Sequence, residues 1–423
     1  MMFQNITPFY WLLAALPIIV VLVLMVGFRW GGAKAGPAGW LVALAVSLLV
    51  FGANPSLLAY SQMKALLLTL FVLYIIWTAL VLYNVVNEAG AIETISRGIV
   101  SLTRDRMLQL LVLSWVFGSF LQGVAGFGVP VAVIAPLLIG LGFSPIVSVS
   151  AASIGHSWSV TFGDVASSFN ALIAVTGLPG QMLAPWSAIL LGVACFGCGI
   201  AVAHSYEGLK AVRQCGLAIM FIGIVMAGTQ YFLAVIGLWN LAGFVAGMAG
   251  LAASVLVARL MNRRQKVLTE VATNPTLTVN GQKMPLYLAV SPYLLLILIV
   301  SLAELSPSIH HFLNQVKIQA TFPATQTSLG WINEASRGKT ISIFGHAGAL
   351  LTYTSVIAYV LFSRTGYYKA NTFRRILSNT LKSAVSSSIG IASMVGFAII
   401  MEMSGMVNLL ALGLSHIVEP AFP

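Results

Sequence analysis

Two polar stretches interrupt an otherwise apolar chain, and both carry residues that could do chemistry. The first is Gly118-Ser-Phe-Leu-Gln-Gly-Val-Ala-Gly-Phe-Gly-Val-Pro130. Gly123, Gly126 and Gly128 stand too close together for a stable uniform helix. Pro130 lacks a backbone donor and fixes φ, which suits the first turn of a new helix. The expected backbone is a helix ending near Phe120, unwound chain through Gly128, and a helix restarting at Val129 or Pro130. Inside a bilayer such a break is tolerated only where protein buries it or where it lines a wet cavity. Its free N–H groups and the positive helix end would form a receptor for a carboxylate. Glycine lets a ligand approach the backbone, and Gln122 can donate or accept. The competing reading is that the glycines let helices cross closely. Three glycines with Gln and Pro in so short a stretch favour the break.

The second stretch is Ser153-Ile-Gly-His-Ser-Trp-Ser-Val-Thr-Phe-Gly-Asp164. On one helix, His156 and Asp164 would project within about 80° of one another. An unpaired Asp at the bilayer centre costs at least ~2.5–3.5 kcal/mol, so it should face a cavity or a partner. Both groups can be tuned to titrate near neutral pH, which makes them candidates for proton coupling. The alternative for Asp164 is a helix cap at an aqueous boundary. The candidate substrate-binding set is Gln122, Gly123, Gly126, Gly128, Ser153, His156 and Thr161. The candidate coupling set is Asp164, His156 and Glu402, the last at the end of the span Ser383–Met401. Glu88 reads as an interfacial carboxylate, and Glu304, His310 and His311 as solvated loop residues.

The elements that must position these residues are membrane helices. Of the 423 residues, 59% are hydrophobic and 7% charged, and a soluble globule cannot hide that much apolar surface. Apolar runs recur at Tyr10–Phe28, Trp40–Phe51, Ala65–Val86, Trp186–Ala203, Leu217–Val235, Leu241–Leu260, Leu286–Leu302 and Ile341–Phe362. Several approach the roughly 20 residues a helix needs to span the hydrocarbon. None shows the alternation of a β-barrel. The expected fold is all-α: a polytopic transmembrane bundle with inverted repeats and broken, re-entrant helices. The first run lacks a basic segment before it and reads as a retained span.

The net charge of +11 is confined to short loops, as the positive-inside rule requires, and does not call for nucleic acid. It places 29–39, 87–106, 204–214, 259–285 and 363–382 in the cytoplasm, and 52–64 and 305–340 outside. The division expected is an N-terminal transmembrane half (1–260), a cytoplasmic linker (261–285) and the start of a C-terminal half (286–423). Cys195-x-x-Cys198 lies inside an apolar run and reads as helix packing. No metal set, H-E-x-x-H or G-x-S-x-G is present, so neither a cofactor nor an enzyme is expected.

Asn87–Val100 resembles the segment from Glu402 onward: Gly90 aligns with Gly405, Gly98 with Gly413, and Ile92, Ile95 and Ile99 with Val407, Leu410 and Leu414. By the loop charges, the spans preceding the two copies run in opposite directions, an inverted repeat of the kind carriers use; chance likeness between apolar helices is the alternative. A counterpart of the Gly-rich break would lie past Pro423. Either the second half is short by design, or the chain is a fragment.

At these residues the sequence resembles the bacterial lactate permease family. GVAGFGVPVAVIAPLLIGLGFSP (123–145) is similar to that family's signature, and NEAGAIETIS and HSWSVTFGD also fit. The resemblance covers most of the chain. It implies an inner-membrane carrier of 2-hydroxymonocarboxylates, lactate or glycolate, driven by proton symport. The alternative is a carrier or channel for another small organic anion, with Na⁺ as the coupling ion. Many members carry Glu where this chain has Gln122, which weakens any proton role there. Members also continue into a second polar half-site past the point where this sequence stops.

Overall fold

In the computed structural model, residues 8–103, 105–126, 129–265 and 284–418 are described. They form α1 (Pro8–Gly27), α2 (Gly32–Leu49), α3 (Pro55–Glu88), α4 (Ala91–Val100), α5 (Arg106–Val124), α6 (Val129–Gly140), α7 (Pro145–Gly155) and α8 (Gly163–Thr176). There follow α9 (Gly180–Val235), α10 (Trp239–Gln265), α11 (Leu286–Leu305), α12 (Pro307–Leu313), α13 (Ala347–Arg364), α14 (Thr372–Met403) and α15 (Met406–Val418). Among the described residues, nine helices are long and apolar enough to cross a membrane. Apolar side chains such as Leu190, Val193 and Leu217 stand exposed along α9, as a lipid-facing surface requires.

The chain folds as two compact units made of interleaved segments. One comprises the described residues up to Tyr74, Gln315–Ile343 and those from Leu381 onward. Its core gathers Ala14, Ala43, Val46, Ile400, Met401, Met406 and Leu409. Small residues let its helices touch: Gly390 packs on the Gly32 backbone, and Gly36 faces Ser393. Gln315–Ile343 holds an interrupted antiparallel hairpin, pairing Lys317–Ile318 with Ile341–Ser342, Thr321–Phe322 with Ser336–Arg337, and Thr325–Gln326 with Ile332–Asn333. The sequence reading took 305–340 as a plain external loop. Two-residue rungs carry too little periodicity to be seen in sequence.

The second unit comprises Ile75–Asn314 and Phe344–Thr380. At its centre α5 is buried almost along its whole length. Asp105 caps it, accepting from Leu108 N–H at 2.8 Å. α10 lies against α5 through Gly247 and Gly250, and against the chain entering α8 through Gly243, which faces the Phe162 carbonyl. A side-chain carbon at Gly247 would come within 2.5 Å of the Phe120 backbone, and one at Gly250 within 2.8 Å of Val116. Glycine at this spacing lets two backbones approach and replaces hydrophobic burial as the source of association inside lipid. The Phe120 ring meets α11 instead, edge-on to Tyr293 with centroids 4.7 Å apart. On α4 the apolar face is buried, while Glu93 and Arg97 pair outward at 2.9 Å.

Two expectations change. The loop expected at 204–214 shrinks to a kink at Glu207 and Gly208 (φ 62°), where the two arms of α9 fold back on each other: Gly192 faces Ala227, Gly199 faces Ile219 and Gly223 faces Phe196. HSYEGLKAVRQ is polar and carries one glycine, Gly208, which takes the positive φ at which the chain reverses, so both arms stay helical up to the kink. The span expected from Ile341 starts at Ala347, after His346 caps Gly348 N–H. The expected linker 261–285 begins as the last turn of α10, and its residues 266–283 lie outside the described residues.

Both repeat segments show the same local geometry. α3 and α14 each end two residues before a left-handed glycine, Gly90 at φ 80° and Gly405 at φ 81°, and a short helix follows. Only glycine adopts that conformation without a steric penalty.

Candidate functional site

The break expected in the first polar stretch is present, shifted along the chain. α5 continues four residues past Phe120 to Val124, then Ala125 turns extended and α6 starts at Val129. Gln122 and Gly123 are therefore helical. Gly128 lies outside the described residues. The helix persists because Gly123 sits flat against the Phe244 backbone of α10. The close-crossing reading thus describes Gly123, and the broken-helix reading describes Gly126.

α5 and α6 form a re-entrant pair. The Arg106 guanidinium donates to the Leu141 carbonyl and lies 5.1 Å from the Phe143 ring centroid. The start of α5 and the end of α6 therefore share one side, with the break at the tip. Val124 is about 27 Å of helix from Arg106, a depth comparable to the hydrocarbon thickness.

The second polar stretch is not one helix. α7 ends at Gly155, a 3₁₀ turn spans Ser157–Ser159, and α8 begins at Gly163. The expected shared helical face of His156 and Asp164 does not exist. His156 Nδ1 turns back to the Ala152 carbonyl at 2.6 Å. Ser153 is exposed on α7, and the Thr161 carbonyl accepts from Phe169 N–H at 3.1 Å. Asp164, Val165 and Ala166 are all left-handed, at φ 47°, 52° and 59°. Each costs roughly 1–2 kcal/mol outside glycine, and Val165, being β-branched, is the least suited to it. Such strain persists where surrounding packing over-determines it. Here Phe162, Val165, Ala166 and Phe169 are all fully buried.

The inversion aims Asp164 across at the tip of the hairpin. Its carboxylate accepts the backbone N–H of Gly126. A side-chain carbon at Gly126 would lie 2.6 Å from Asp164 Oδ2 and 2.5 Å from Gln122 Nε2. One at Gly163 would lie 2.8 Å from Gln122 Nε2. Gln122, Gly126, Gly163 and Asp164 thus form one buried cluster. The Gln122 amide makes no hydrogen bond to another described residue. Ser119, one turn earlier, accepts from Trp158 Nε1 at 2.7 Å and donates to the Trp115 carbonyl at 2.6 Å, fixing the 3₁₀ turn against α5. Gly163 and the Ser119–Trp158 bond were not singled out in the sequence; the signal was a tryptophan and a serine in stretches already marked as polar.

Glu402 belongs to the other unit, where it pairs with Lys64 at 3.3 Å, both partly exposed. Glu88 is held by Arg375 Nε at 2.8 Å. Cys195 and Cys198 lie within α9, with Cys198 3.4 Å from Ser157 Oγ, and Cys215 is buried. Among the described residues no His, Cys, Asp and Glu group has metal-binding geometry.

A helical bundle with a re-entrant hairpin, its tip closed onto an inverted turn of a second broken helix, is the build of a multi-pass membrane transport protein. The chain belongs to the L-lactate permease family, whose model matches residues 10–423, and it is a multi-pass protein of the bacterial inner membrane. It is 31% identical to the L-lactate permease of Bacillus subtilis (strain 168) over 222 residues, 52% of this chain and 39% of that one. It is 23% identical to the L-lactate permease of Streptococcus iniae over 421 residues, 97% of this chain and 84% of the relative. It is 27% identical to the glycolate permease of Escherichia coli (strain K12) over 230 residues, 52% of this chain and 40% of that one. The matches to the Bacillus and Escherichia proteins thus span about two fifths of their length. No solved structure matches.

Proposed function

We propose that this chain carries small 2-hydroxymonocarboxylates, L-lactate or glycolate, together with protons, and that the Gly126–Asp164 contact is where the two are coupled. One observation carries the reading: a buried side-chain carboxylate occupies a backbone N–H at the hairpin break, the kind of donor a substrate carboxylate would need. While ionised, Asp164 holds that donor and opposes a second negative charge beside it. Once protonated it is a weaker acceptor and bears no charge, so the donor and the α6 N-terminus become available to the substrate. Proton and substrate then favour each other's binding, and the coupling is reciprocal. Gln122 is placed to take the 2-hydroxyl, having a free donor and acceptor.

The basic residues Arg97 and Arg106 put the open end of the hairpin in the cytoplasm. α8 then leads outward from Asp164, and the loop after Thr176 is external. The names of the relatives supply the substrate class.

The test is reconstitution of the purified chain in liposomes. Labelled L-lactate should accumulate when the outside is made acid, and should show counterflow against unlabelled L-lactate. Leakage without counterflow would indicate a channel. Accumulation that follows a sodium gradient and ignores pH would replace the proton with Na⁺.

A further inference from the structure

We propose that Glu304 is a positioning residue for this site, holding through Asn240 and Asn170 the left-handed turn that aims Asp164 at Gly126. The inference rests on the reading of that turn as part of the substrate site. Glu304 was expected to be a solvated loop carboxylate. Instead it lies in the last turn of α11, and its side chain is 28% exposed. Its Oε1 accepts from Asn240 Nδ2 at 3.3 Å. Asn240 Oδ1 accepts from Asn170 Nδ2 at 2.9 Å. Asn170 Nδ2 also donates to the carbonyl of Ala166, the last left-handed residue, at 2.9 Å. His310, at the surface on α12, stands 3.9 Å from Glu304 Oε2. A continuous polar chain therefore runs from an exposed imidazole to the backbone of the inverted turn, through residues of four helices.

The carboxylate gives this chain its direction. It can only accept, so Asn240 must turn its NH₂ towards Glu304 and its oxygen towards Asn170. Asn170 then has both of its N–H groups to give, one to Asn240 and one to Ala166. Without an acceptor at 304, the Asn240 amide is free to flip. Its NH₂ would then face the NH₂ of Asn170, and the grip on Ala166 would loosen. Trp239, beside Asn240, already packs on Phe169, the rings tilted by 58° with centroids 5.6 Å apart, so α10 and α8 stay together whichever way the amide points. What changes is the turn alone.

Hydrogen–deuterium exchange of the purified full chain tests this without any substrate, so it stands or falls apart from the transport assignment. Glu304→Leu should speed exchange of amides 167–176 on the order of tenfold, while peptides of α13 and α9 stay at wild-type rates. Glu304→Gln, which keeps an acceptor oxygen, should remain near wild type. Asn240→Asp faces Glu304 with a second carboxylate and should also speed exchange. Asn240→Asp with Glu304→Gln exchanges donor and acceptor between the two positions and should restore protection. Unchanged exchange in Glu304→Leu, failure of the double variant to restore it, or acceleration spread equally over α13 and α9 would each overturn the proposal.

Discussion

Gly126→Ala isolates the contact on which the proposed coupling depends. Gly126 has no left-handed φ, so alanine meets no backbone penalty there, and the effect comes from its methyl group. That carbon would sit 2.6 Å from Asp164 Oδ2 and 2.5 Å from Gln122 Nε2, well inside van der Waals contact. Gln122 has a flexible end and can swing aside. Asp164 is fixed by three left-handed residues and has to give up the Gly126 N–H. A hydrogen bond to a charged group contributes about 1.5–3 kcal/mol, and tenfold in affinity corresponds to about 1.4 kcal/mol. The methyl also fills the place where a substrate carboxylate would take over the same donor. L-lactate binding by the purified chain should therefore weaken about ten- to hundredfold. Gly140→Ala, whose added carbon meets nothing within 4 Å, is the control and should bind normally. Equilibrium binding of labelled L-lactate in detergent reads both variants. Wild-type affinity in Gly126→Ala would remove the substrate from this break and refute the coupling argument built on it.

Asp164→Asn keeps the shape and removes the charge change. It should abolish pH-driven accumulation while leaving exchange at equal concentrations, and accumulation that still follows the pH gradient would make Asp164 structural. Ser119→Ala leaves the buried Trp158 indole N–H without its 2.7 Å acceptor and should destabilise by about 1–3 kcal/mol, read as a lower melting temperature in detergent. Ser119→Ala combined with Trp158→Phe removes donor and acceptor together and should lose less than the two single changes summed. In a background without the native cysteines, Gly140→Cys should react with impermeant maleimide only from the cytoplasmic side and Leu178→Cys only from outside. Labelling of both from one face would contradict the re-entrant hairpin. Gly247→Leu would drive a side chain into the Phe120 backbone, and should prevent recovery of a monodisperse protein.

The membrane fold was legible because apolar runs near the length of a bilayer crossing have one physical explanation, and the break because glycines and a proline cannot sustain a helix. Its position was misjudged by four residues. Sequence shows that Gly123 has no side chain, but not that the space is filled by Phe244 from α10, more than a hundred positions away. The pairing of Asp164 with Gly126 was out of reach for a related reason. Eight residues from His156 to Asp164 imply a shared face only on a continuous helix, and nothing in SWSVTFGDVA announces three left-handed residues, least of all at Val165. Glu304 was passed over because a carboxylate at the end of an apolar span usually meets water. Asn240 and, behind it, Asn170 are each unremarked polar residues until the three helices are brought together.

The glycine seam between α5 and α10 constrains how the protein can move. Side chains that interlock as ridges can slip past one another by changing rotamer. Here Gly247 receives the Phe120 main chain and Gly123 that of Phe244, and main chain has no rotamer to change. Sliding along the seam would drive a neighbouring Cβ into that backbone. The first arm of the hairpin and α10 therefore travel as one rigid strut. The chain entering the inverted turn is locked in the same way, Phe162 against Gly243 and Gly163 against the Gln122 carbonyl, so any opening that exposes the break has to take place at the α6 arm.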